Sequence, residues 1–254
     1  MTTRFESKVI VITGGSSGIG RAVAERVASE GAAVVIGARR QDVGDEVVAT
    51  IRAAGGQAVF LATDGTVEAD VAELIRTAVT EFGRLDGAFN NVGGVHTIGV
   101  VQKIDDVAWR ADLDQNLTSV FYCLKYQIPA IMASGGGGAI VNNASIAGSI
   151  GIRAMSPYVA AKHGVVGLTR AAALECASQG LRVNALVTGE VDTPLFRSLL
   201  GAPPDGELAA EAMNPVGRIS QPDEIAAFVA FLLSDESAFI TGAALAIDGG
   251  CTAQ

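Results

Sequence analysis

Short apolar runs, rich in β-branched residues, alternate along the chain with longer amphipathic stretches. Seven of these runs predict β-strands, and their successive apolar positions fit a parallel sheet that is covered on both faces. The predicted strands cover residues 9–12, 33–36, 58–61, 87–89, 139–141, 182–187 and 243–247.

The amphipathic stretches between the strands predict helices. Prolines that open two of them, in Ser156-Pro157 and Gln221-Pro222, are typical helix starts. Strands that alternate with helices imply right-handed βαβ crossovers. The pattern therefore predicts one α/β domain over 1–254, with a Rossmann-type doubly wound, mostly parallel seven-stranded sheet and helices on both faces. The predicted helices cover 21–30, 42–54, 67–82, 105–133, 157–179 and 222–234.

One stretch, residues 189–216, breaks this alternation between the sixth strand and the last helix. Inserts of this length are either lids or slack surface loops. Because the stretch leaves the carboxyl end of a strand, where ligands bind in open α/β sheets, we expect a substrate loop.

The composition is that of a globular protein, since 49% of the 254 residues are hydrophobic and 18% are charged. The formal net charge of -9 opposes binding to phosphate backbones and anionic lipids, so we expect neither nucleic acid nor a membrane as partner. The three cysteines and two histidines lack ligand-like spacing, which argues against a disulfide framework or a metal site. The first residues do not resemble an export signal, so the expected compartment is the cytoplasm.

A glycine-rich turn follows the first strand, in the sequence Thr13-Gly14-Gly15-Ser16-Ser17-Gly18-Ile19-Gly20. Glycines let the backbone approach a pyrophosphate closely, and the next helix offers free N–H groups and the positive end of its dipole. The spacing G-x-x-x-G-x-G alone is also compatible with an ordinary loop. Between the first strand and the first helix of an alternating chain, it predicts a dinucleotide site.

The end of the second strand bears on the choice of dinucleotide. An acidic residue there would bind the ribose hydroxyls of NAD(H), but the strand runs into Ala38-Arg39-Arg40. Because the guanidinium of Arg39 suits a 2′-phosphate, we expect NADP(H) to be favoured over NAD(H). The alternative is that Arg39 and Arg40 only form the solvated start of a helix, which leaves NAD(H) open.

Tyr158 and Lys162 are four residues apart on one predicted helix, so their side chains share a face. A nearby ammonium favours the phenolate, and we expect it to lower the pKa of Tyr158 from the ordinary value of about 10. Tyr158 would then exchange protons with a substrate. The alternative is a surface pair of the kind that many helices carry.

Two polar residues support this site. Ser145 follows the fifth strand at the carboxyl edge of the sheet, where its hydroxyl would hydrogen-bond the reacting oxygen. Asn116 lies inside the predicted helix 105–133, although amide side chains are poor helix formers. The alternatives are a turn serine and an asparagine on the helix surface.

Together these residues resemble the compact single-domain branch of the short-chain dehydrogenase/reductase family. The resemblance extends from Lys8 to Gly250. The glycine turn is similar to the family's Thr-Gly-x-x-x-Gly-x-Gly, and Asn90-Asn91-Val92-Gly93 to its Asn-Asn-Ala-Gly motif. The C-terminal third is similar to 3-oxoacyl reductase-like members. Thr188 departs from the family's proline, which is expected to loosen the loop beside the nicotinamide.

The resemblance implies roles for individual residues. It assigns catalysis to Asn116, Ser145, Tyr158 and Lys162, with Lys162 also on the nicotinamide ribose and Asn116 holding a water beside it. It implies a homodimer or homotetramer in which the helices at 105–133 and 157–179 pair. With Arg39 added, the expected cofactor site comprises Gly14, Ser16, Ser17, Gly18, Ile19, Gly20, Arg39, Asp64, Asn91, Tyr158, Lys162, Val191 and Thr193.

The predicted function is an oxidoreductase that moves hydride between NADP(H) or NAD(H) and a ketone or secondary alcohol, with Tyr158 as general acid and base. His96 either touches the substrate or faces water. The alternatives are a catalytically silent nucleotide-binding regulator of the same fold and a scaffold that acts through its oligomer surface. Besides the 189–216 loop, the pocket is expected to use mostly apolar residues, which suit a small or medium hydrophobic substrate: Val95, His96, Ile150, Ile152 and Met155.

Overall fold

A computed structural model describes residues 3–135, 137–201 and 214–253 of the chain. Within these residues, seven strands form one sheet in the order β3-β2-β1-β4-β5-β6-β7, and every neighbouring pair is parallel. The predicted fold class is confirmed, with a sheet that is wholly parallel over this part of the chain. The strands are β1 (Val9–Thr13), β2 (Ala33–Ala38), β3 (Gln57–Ala62), β4 (Gly87–Asn90), β5 (Gly138–Asn143), β6 (Leu181–Thr188) and β7 (Ala244–Ile247).

Helices cover both faces of this sheet. One apolar core lies between the sheet and α1, α2 and α8, and a second lies between the sheet and α3, α5 and α6. Strands that are apolar at successive positions satisfy both cores at once, and β1 and β6 are buried at every residue. The helices are α1 (Gly18–Ser29), α2 (Gln41–Ala53), α3 (Glu68–Phe82), α4 (Asp106–Leu113), α5 (Ser119–Ala133), α6 (Ser156–Cys176), α7 (Pro194–Leu199) and α8 (Pro222–Leu233).

The helix predicted over 105–133 is present from Asp106 to Ala133, but its hydrogen-bond pattern changes in the middle. A π-helical turn, Asp114–Thr118, separates α4 from α5. Such turns insert a residue into the helical ladder and are frequent at functional sites. Asn116 lies in this turn, fully buried rather than on the helix surface.

The order of the strands creates a crevice. β1 pairs with β2 on one side and with β4 on the other, so the chain changes direction across the sheet between them. Open α/β sheets bind ligands at the carboxyl ends of the strands that flank such a switch.

The segment predicted as a substrate loop leaves β6 at this same edge. Its described part contains α7, a short helix that the sequence pattern did not predict. Residues 202–213 of the segment lie outside the described residues. None of the helices in the described ranges is both long enough and apolar enough to cross a membrane.

Candidate active site

A cleft of about 1030 Å³ opens over the carboxyl ends of the strands. The glycine turn after β1, the ends of β4 and β5, the start of α6 and the segment through α7 all contribute to it. Every predicted cofactor residue except Gly20 lines this cleft: Gly14, Ser16, Ser17, Gly18, Ile19, Arg39, Asp64, Asn91, Tyr158, Lys162, Val191 and Thr193.

The glycine turn leaves its backbone open to the cleft. Gly14 and Gly18 adopt φ angles of +66° and +53°, which disfavour residues with a Cβ. Gly20 is buried behind the turn, where a Cβ would lie 2.2 Å from the carbonyl oxygen of Gly14. The N-terminus of α1 has no side-chain cap, so its N–H groups face the turn unmasked. This cradle fits the pyrophosphate of a dinucleotide, and Gly20 serves it by close packing rather than by contact.

Polar side chains connect the strand ends beneath the cleft. Asn143 Nδ2 donates to Asn91 Oδ1 at 2.8 Å, and Asn91 Nδ2 donates to the carbonyl of Gly14 at 3.2 Å. Thr188 Oγ1 donates to Asn143 Oδ1 at 3.1 Å. Thr188, which stands where the family carries proline, is therefore hydrogen-bonded to the neighbouring strand. The missing proline does not leave this position loose, as the sequence analysis expected.

Ser145, Tyr158 and Lys162 lie together at the wall of the cleft. The hydroxyl of Ser145 hydrogen-bonds the phenol of Tyr158. The ammonium of Lys162 lies 5.5 Å from the centroid of the Tyr158 ring and donates to the carbonyl of Asn143 at 2.9 Å. Tyr158 and Lys162 share a face of α6 because they are one helical turn apart.

The prediction that Lys162 lowers the pKa of Tyr158 is wrong. Burial of the phenol raises the pKa of Tyr158; the hydrogen bond with Ser145 opposes this rise, and the negative charge of Asp112 adds to it. Burial likewise lowers the pKa of Lys162 to about 8. The physical reason is that lost hydration favours the neutral form of each group. In this structure Tyr158 is therefore a protonated phenol.

Asn116 holds the loop that follows β4. Its Oδ1 accepts from the backbone N–H of Gly94 at 2.9 Å, and its Nδ2 donates at 2.9 Å to the carbonyls of Gly94 and of Asp112. A Cβ on Gly93 would lie 2.8 Å from Asn116 Oδ1 and 3.0 Å from Lys162 Nζ. The sequence motif contained Gly93, but only the structure shows that the side chains of Asn116 and Lys162 close in on it.

The substrate side of the cleft is mostly apolar. Of the residues predicted there, Val95, His96, Ile152 and Met155 line it. Ile150 is not among the described residues that line the cleft, so that part of the prediction is wrong. The sequence analysis expected a contribution from the 189–216 loop but did not name the individual residues of α7 and its end that extend the apolar wall: Leu195, Phe196, Leu199 and Leu200.

Charged residues occupy the far end of the cleft, beyond β2. Arg39 is exposed there, and Asp64 lies across from it. Hydrogen bonds from the backbone and the hydroxyl of Thr66 lower the pKa of Asp64, with a further contribution from the charge of Arg39. Asp64 is therefore a carboxylate with one oxygen occupied by Thr66.

The described ranges contain no group of three or more histidine, cysteine or acidic residues placed to hold a metal ion. Cys123, Cys176 and Cys251 are free thiols.

Comparison with known proteins gives the family. The family model described as "Enoyl-(Acyl carrier protein) reductase" matches residues 14–252. The chain is 42% identical over 254 residues to cyclohexanol dehydrogenase of Acinetobacter sp. (strain SE19), covering 100% of this chain and 98% of that protein. It is 43% identical over 253 residues to cis-4-hydroxycyclohexanecarboxylate dehydrogenase of Sinomonas cyclohexanicum, covering 100% of both chains.

Solved structures agree with this relationship. Levodione reductase superposes with a TM-score of 0.92 at 35% identity, covering 98% of this chain and 99% of that one. A short-chain type dehydrogenase/reductase from Mycobacterium marinum superposes with a TM-score of 0.92 at 31% identity, covering 99% of this chain and 98% of that one. The chain therefore belongs to the short-chain dehydrogenase/reductase family and is an oxidoreductase that moves hydride between a nicotinamide dinucleotide and an alcohol or ketone.

Proposed function

We propose that this oxidoreductase interconverts a cyclic secondary alcohol and its ketone, with Tyr158 as general acid and base. The observation that carries the proposal is the hydrogen bond between Ser145 and Tyr158 at the wall of the cleft, with Lys162 one helical turn further along α6. Two hydroxyls that meet in this way can both donate to one substrate oxygen.

A nicotinamide dinucleotide, when bound in this cleft, would supply or accept the hydride. In reduction, Tyr158 gives its proton to the carbonyl oxygen while Ser145 donates a hydrogen bond to the same oxygen. The raised pKa of Tyr158 keeps the phenol protonated for this role at neutral pH. In oxidation the phenolate of Tyr158 takes the proton of the alcohol. The ammonium of Lys162, which lies over the ring of Tyr158, stabilises the negative charge of this phenolate.

In this proposal, different residues of the chain bind different parts of the dinucleotide. Most of the glycine turn holds the pyrophosphate, and Lys162 binds the nicotinamide ribose. Asn91, Val191 and Thr193 contact the nicotinamide end, and Asn116 keeps the loop beside Lys162 in place. At the adenosine end, Arg39 binds the 2′-phosphate of NADP(H), which is therefore favoured over NAD(H).

The apolar lining of the substrate side supports a hydrophobic ring as substrate. Ile152 and Met155 line it together with residues of α7. The relatives at comparable identity are named for cyclohexanol, for hydroxycyclohexanecarboxylate and, in Sphingobium indicum (strain DSM 16412 / CCM 7286 / MTCC 6364 / B90A), for 2,5-dichloro-2,5-cyclohexadiene-1,4-diol. In this proposal the chain is one domain, and the described residues 189–201 of the expected substrate loop, which include α7, cover the ring of the substrate.

Assembly and location complete the proposal. Phe121 on α5 and Leu174 on α6 expose 46% and 84% of their surface, which supports a homodimer or homotetramer that buries these helices. The three free thiols are consistent with a reducing cytoplasm. Sedimentation at several concentrations would measure the subunit number.

The test is the Tyr158→Phe variant, with Tyr122→Phe as the matched control. Initial rates are measured by cofactor absorbance, with cyclohexanol and with an open-chain secondary alcohol of the same carbon number. We expect Tyr158→Phe to lose a factor of about a hundred to ten thousand in kcat and to keep its affinity for the dinucleotide. Robust turnover by this variant contradicts the proposal, and a wild-type protein that binds dinucleotide without turnover indicates the silent regulator instead.

The cofactor preference has its own test. Arg39→Ala is expected to weaken NADPH binding by about tenfold, the effect of losing one charge-assisted contact, with little change for NADH. Arg40→Ala is the control, because it removes a neighbouring guanidinium. A wild-type enzyme that prefers NADH contradicts the role given to Arg39.

A further inference from the structure

One continuous run of hydrogen bonds crosses the floor of the cleft, from the end of β6 to the glycine turn after β1. Thr188 Oγ1 donates to Asn143 Oδ1 at 3.1 Å, and Asn143 Nδ2 donates to Asn91 Oδ1 at 2.8 Å. Asn91 Nδ2 then donates to the carbonyl of Gly14 at 3.2 Å. These four residues, here called the amide bridge, all line the cleft. They connect the carboxyl ends of β6, β5, β4 and β1, which are neighbours in the sheet.

The direction of the amide bridge is fixed by its last acceptor. The carbonyl of Gly14 can only accept, so Asn91 turns Nδ2 towards it and Oδ1 towards Asn143. Asn143 then presents Nδ2 to Asn91, which leaves its Oδ1 facing β6. This amide oxygen needs a donor, and the hydroxyl of Thr188 supplies it. Because Thr188 is only 6% exposed, solvent has little access to replace that donor.

Asn143 also anchors the reactive lysine. Its backbone carbonyl accepts from Lys162 Nζ at 2.9 Å. Two residues further on, Ser145 donates its backbone N–H to the carbonyl of Leu186 on β6 at 3.3 Å. The same short segment thus carries the carbonyl that holds Lys162 and the hydroxyl of Ser145. A contact that fixes the side chain of Asn143 therefore restricts both groups.

We propose that Thr188 is a positioning residue for the reaction: its hydroxyl completes the amide bridge and, through Asn143, fixes the place of the Lys162 ammonium in the cleft. This inference rests on the proposed role of Lys162 beside Tyr158. Thr188 directly precedes the substrate loop. The start of that loop, the reactive lysine and the glycine turn are therefore held in fixed relative positions.

Two variants of Thr188 test the role of the hydroxyl. Thr188→Val keeps the shape of the side chain and removes the hydroxyl, whereas Thr188→Ser keeps the hydroxyl. With Thr188→Val, we expect kcat for alcohol oxidation to fall about fivefold and NADPH, titrated by its fluorescence, to bind about fivefold more weakly, the effect of one neutral hydrogen bond. The KM for the alcohol stays the same, because the hydroxyl is directed at Asn143. Thr188→Ser is expected to rescue both losses.

A double variant shows whether the hydroxyl acts through Asn143. When Thr188→Val is added to Asn143→Leu, we expect kcat to change by less than about twofold, because the partner of the hydroxyl is already absent.

Thr169→Val is the matched control. Thr169 Oγ1 accepts from the side chain of Asn142, on the same strand as Asn143, at 2.9 Å. Thr169 is fully buried and is not among the described residues that line the cleft. Thr169→Val therefore removes a buried hydroxyl that contacts β5, and we expect it to keep the wild-type kcat and NADPH affinity.

The outcomes separate this inference from the proposed function. If Tyr158→Phe is inactive while Thr188→Val keeps the wild-type kcat and NADPH affinity, the inference about Thr188 is overturned and the role of Tyr158 stands. The inference is also overturned if Thr188→Ser does not rescue, if the loss persists in the Asn143→Leu background, or if Thr188→Val does not fold by circular dichroism. If Tyr158→Phe turns over as fast as wild type, the proposed function fails, and the inference fails with it.

Discussion

The ammonium of Lys162 lies over the ring of Tyr158, 5.5 Å from its centroid, while its hydrogen bond goes to the carbonyl of Asn143 and not to the phenol oxygen. The lysine is thereby anchored to the end of β5. Because burial favours the neutral form of both groups, the pair consists of a phenol that keeps its proton and an ammonium that loses one readily.

Ser145 combines a hydrogen bond to Tyr158 with a strained backbone. Its φ angle is +131°, a region that residues with a Cβ rarely adopt. In ordinary backbone, alanine is more stable than glycine; here we expect the reverse, with Ser145→Gly more stable than Ser145→Ala by about 1 kcal/mol. Both variants lose the hydroxyl and most of the turnover.

Urea unfolding of the two Ser145 variants measures this difference, with wild-type protein as reference. If the alanine variant is the more stable of the two, the backbone at Ser145 is unstrained.

The glycine turn predicts a contrast between two alanine substitutions. Gly20→Ala places a Cβ 2.2 Å from the carbonyl oxygen of Gly14, so the turn must open and dinucleotide binding is expected to be lost. Gly167→Ala, on α6, meets nothing within 4 Å inside its own chain and is expected to stabilise the single subunit by roughly 0.5–1 kcal/mol.

Titration of NADPH fluorescence and thermal unfolding measure both effects of these glycine substitutions. Unchanged NADPH affinity in Gly20→Ala would show that the turn does not hold the pyrophosphate.

Most of the fold could be predicted from the sequence, because its signals are local. β1 is apolar from Val9 to Ile12, and β6 is buried at every residue; only a sheet covered on both faces buries such runs completely. The glycine turn likewise needs no tertiary information, since Gly14 and Gly18 serve a backbone conformation that the turn itself requires.

What the sequence could not show depends on contacts between distant elements. In the sequence, the buried π turn that contains Asn116 cannot be distinguished from regular α-helix. The turn is stabilised by hydrogen bonds between Asn116 and Gly94, which lie 22 residues apart. Burial raises the pKa of Tyr158 although a lysine lies one helical turn away. Spacing along a helix shows that two groups meet, but not how much water they lose.

The role of Asn116 predicts a loss of stability. Asn116→Ala leaves the N–H and the carbonyl of Gly94 without their partner in a buried region, which is expected to cost about 3 kcal/mol. The KM for the alcohol is expected to rise because Gly94 lines the cleft. Urea unfolding and initial rates measure the two effects, and a variant as stable as wild type would show that solvent replaces the lost bonds.

We expect Lys162 to make the free energy of unfolding depend on pH, with a sign that is unusual for a lysine. Its pKa falls from 10.5 to about 8 in the folded protein, so between these values the unfolded chain binds more protons than the folded one. The free energy of unfolding therefore carries a penalty below about pH 8, which disappears as pH rises towards 10.5, and its full size is about 3 kcal/mol. Lys162→Met lacks this penalty and is expected to be more stable than wild type near neutrality, but catalytically inactive.

The measurement is urea unfolding of wild type and Lys162→Met at neutral pH and near pH 10. The advantage of the variant must shrink as pH rises, because wild type then loses its buried charge. Lys125→Met is the matched control: its ion pair with Glu68 raises the pKa of Lys125, so wild type is favoured near neutrality and loses that preference at high pH. Equal pH dependence for the two lysine variants would show that Lys162 is hydrated in solution. The neighbouring phenol of Tyr158 would then also be hydrated, and burial would not be what keeps it protonated.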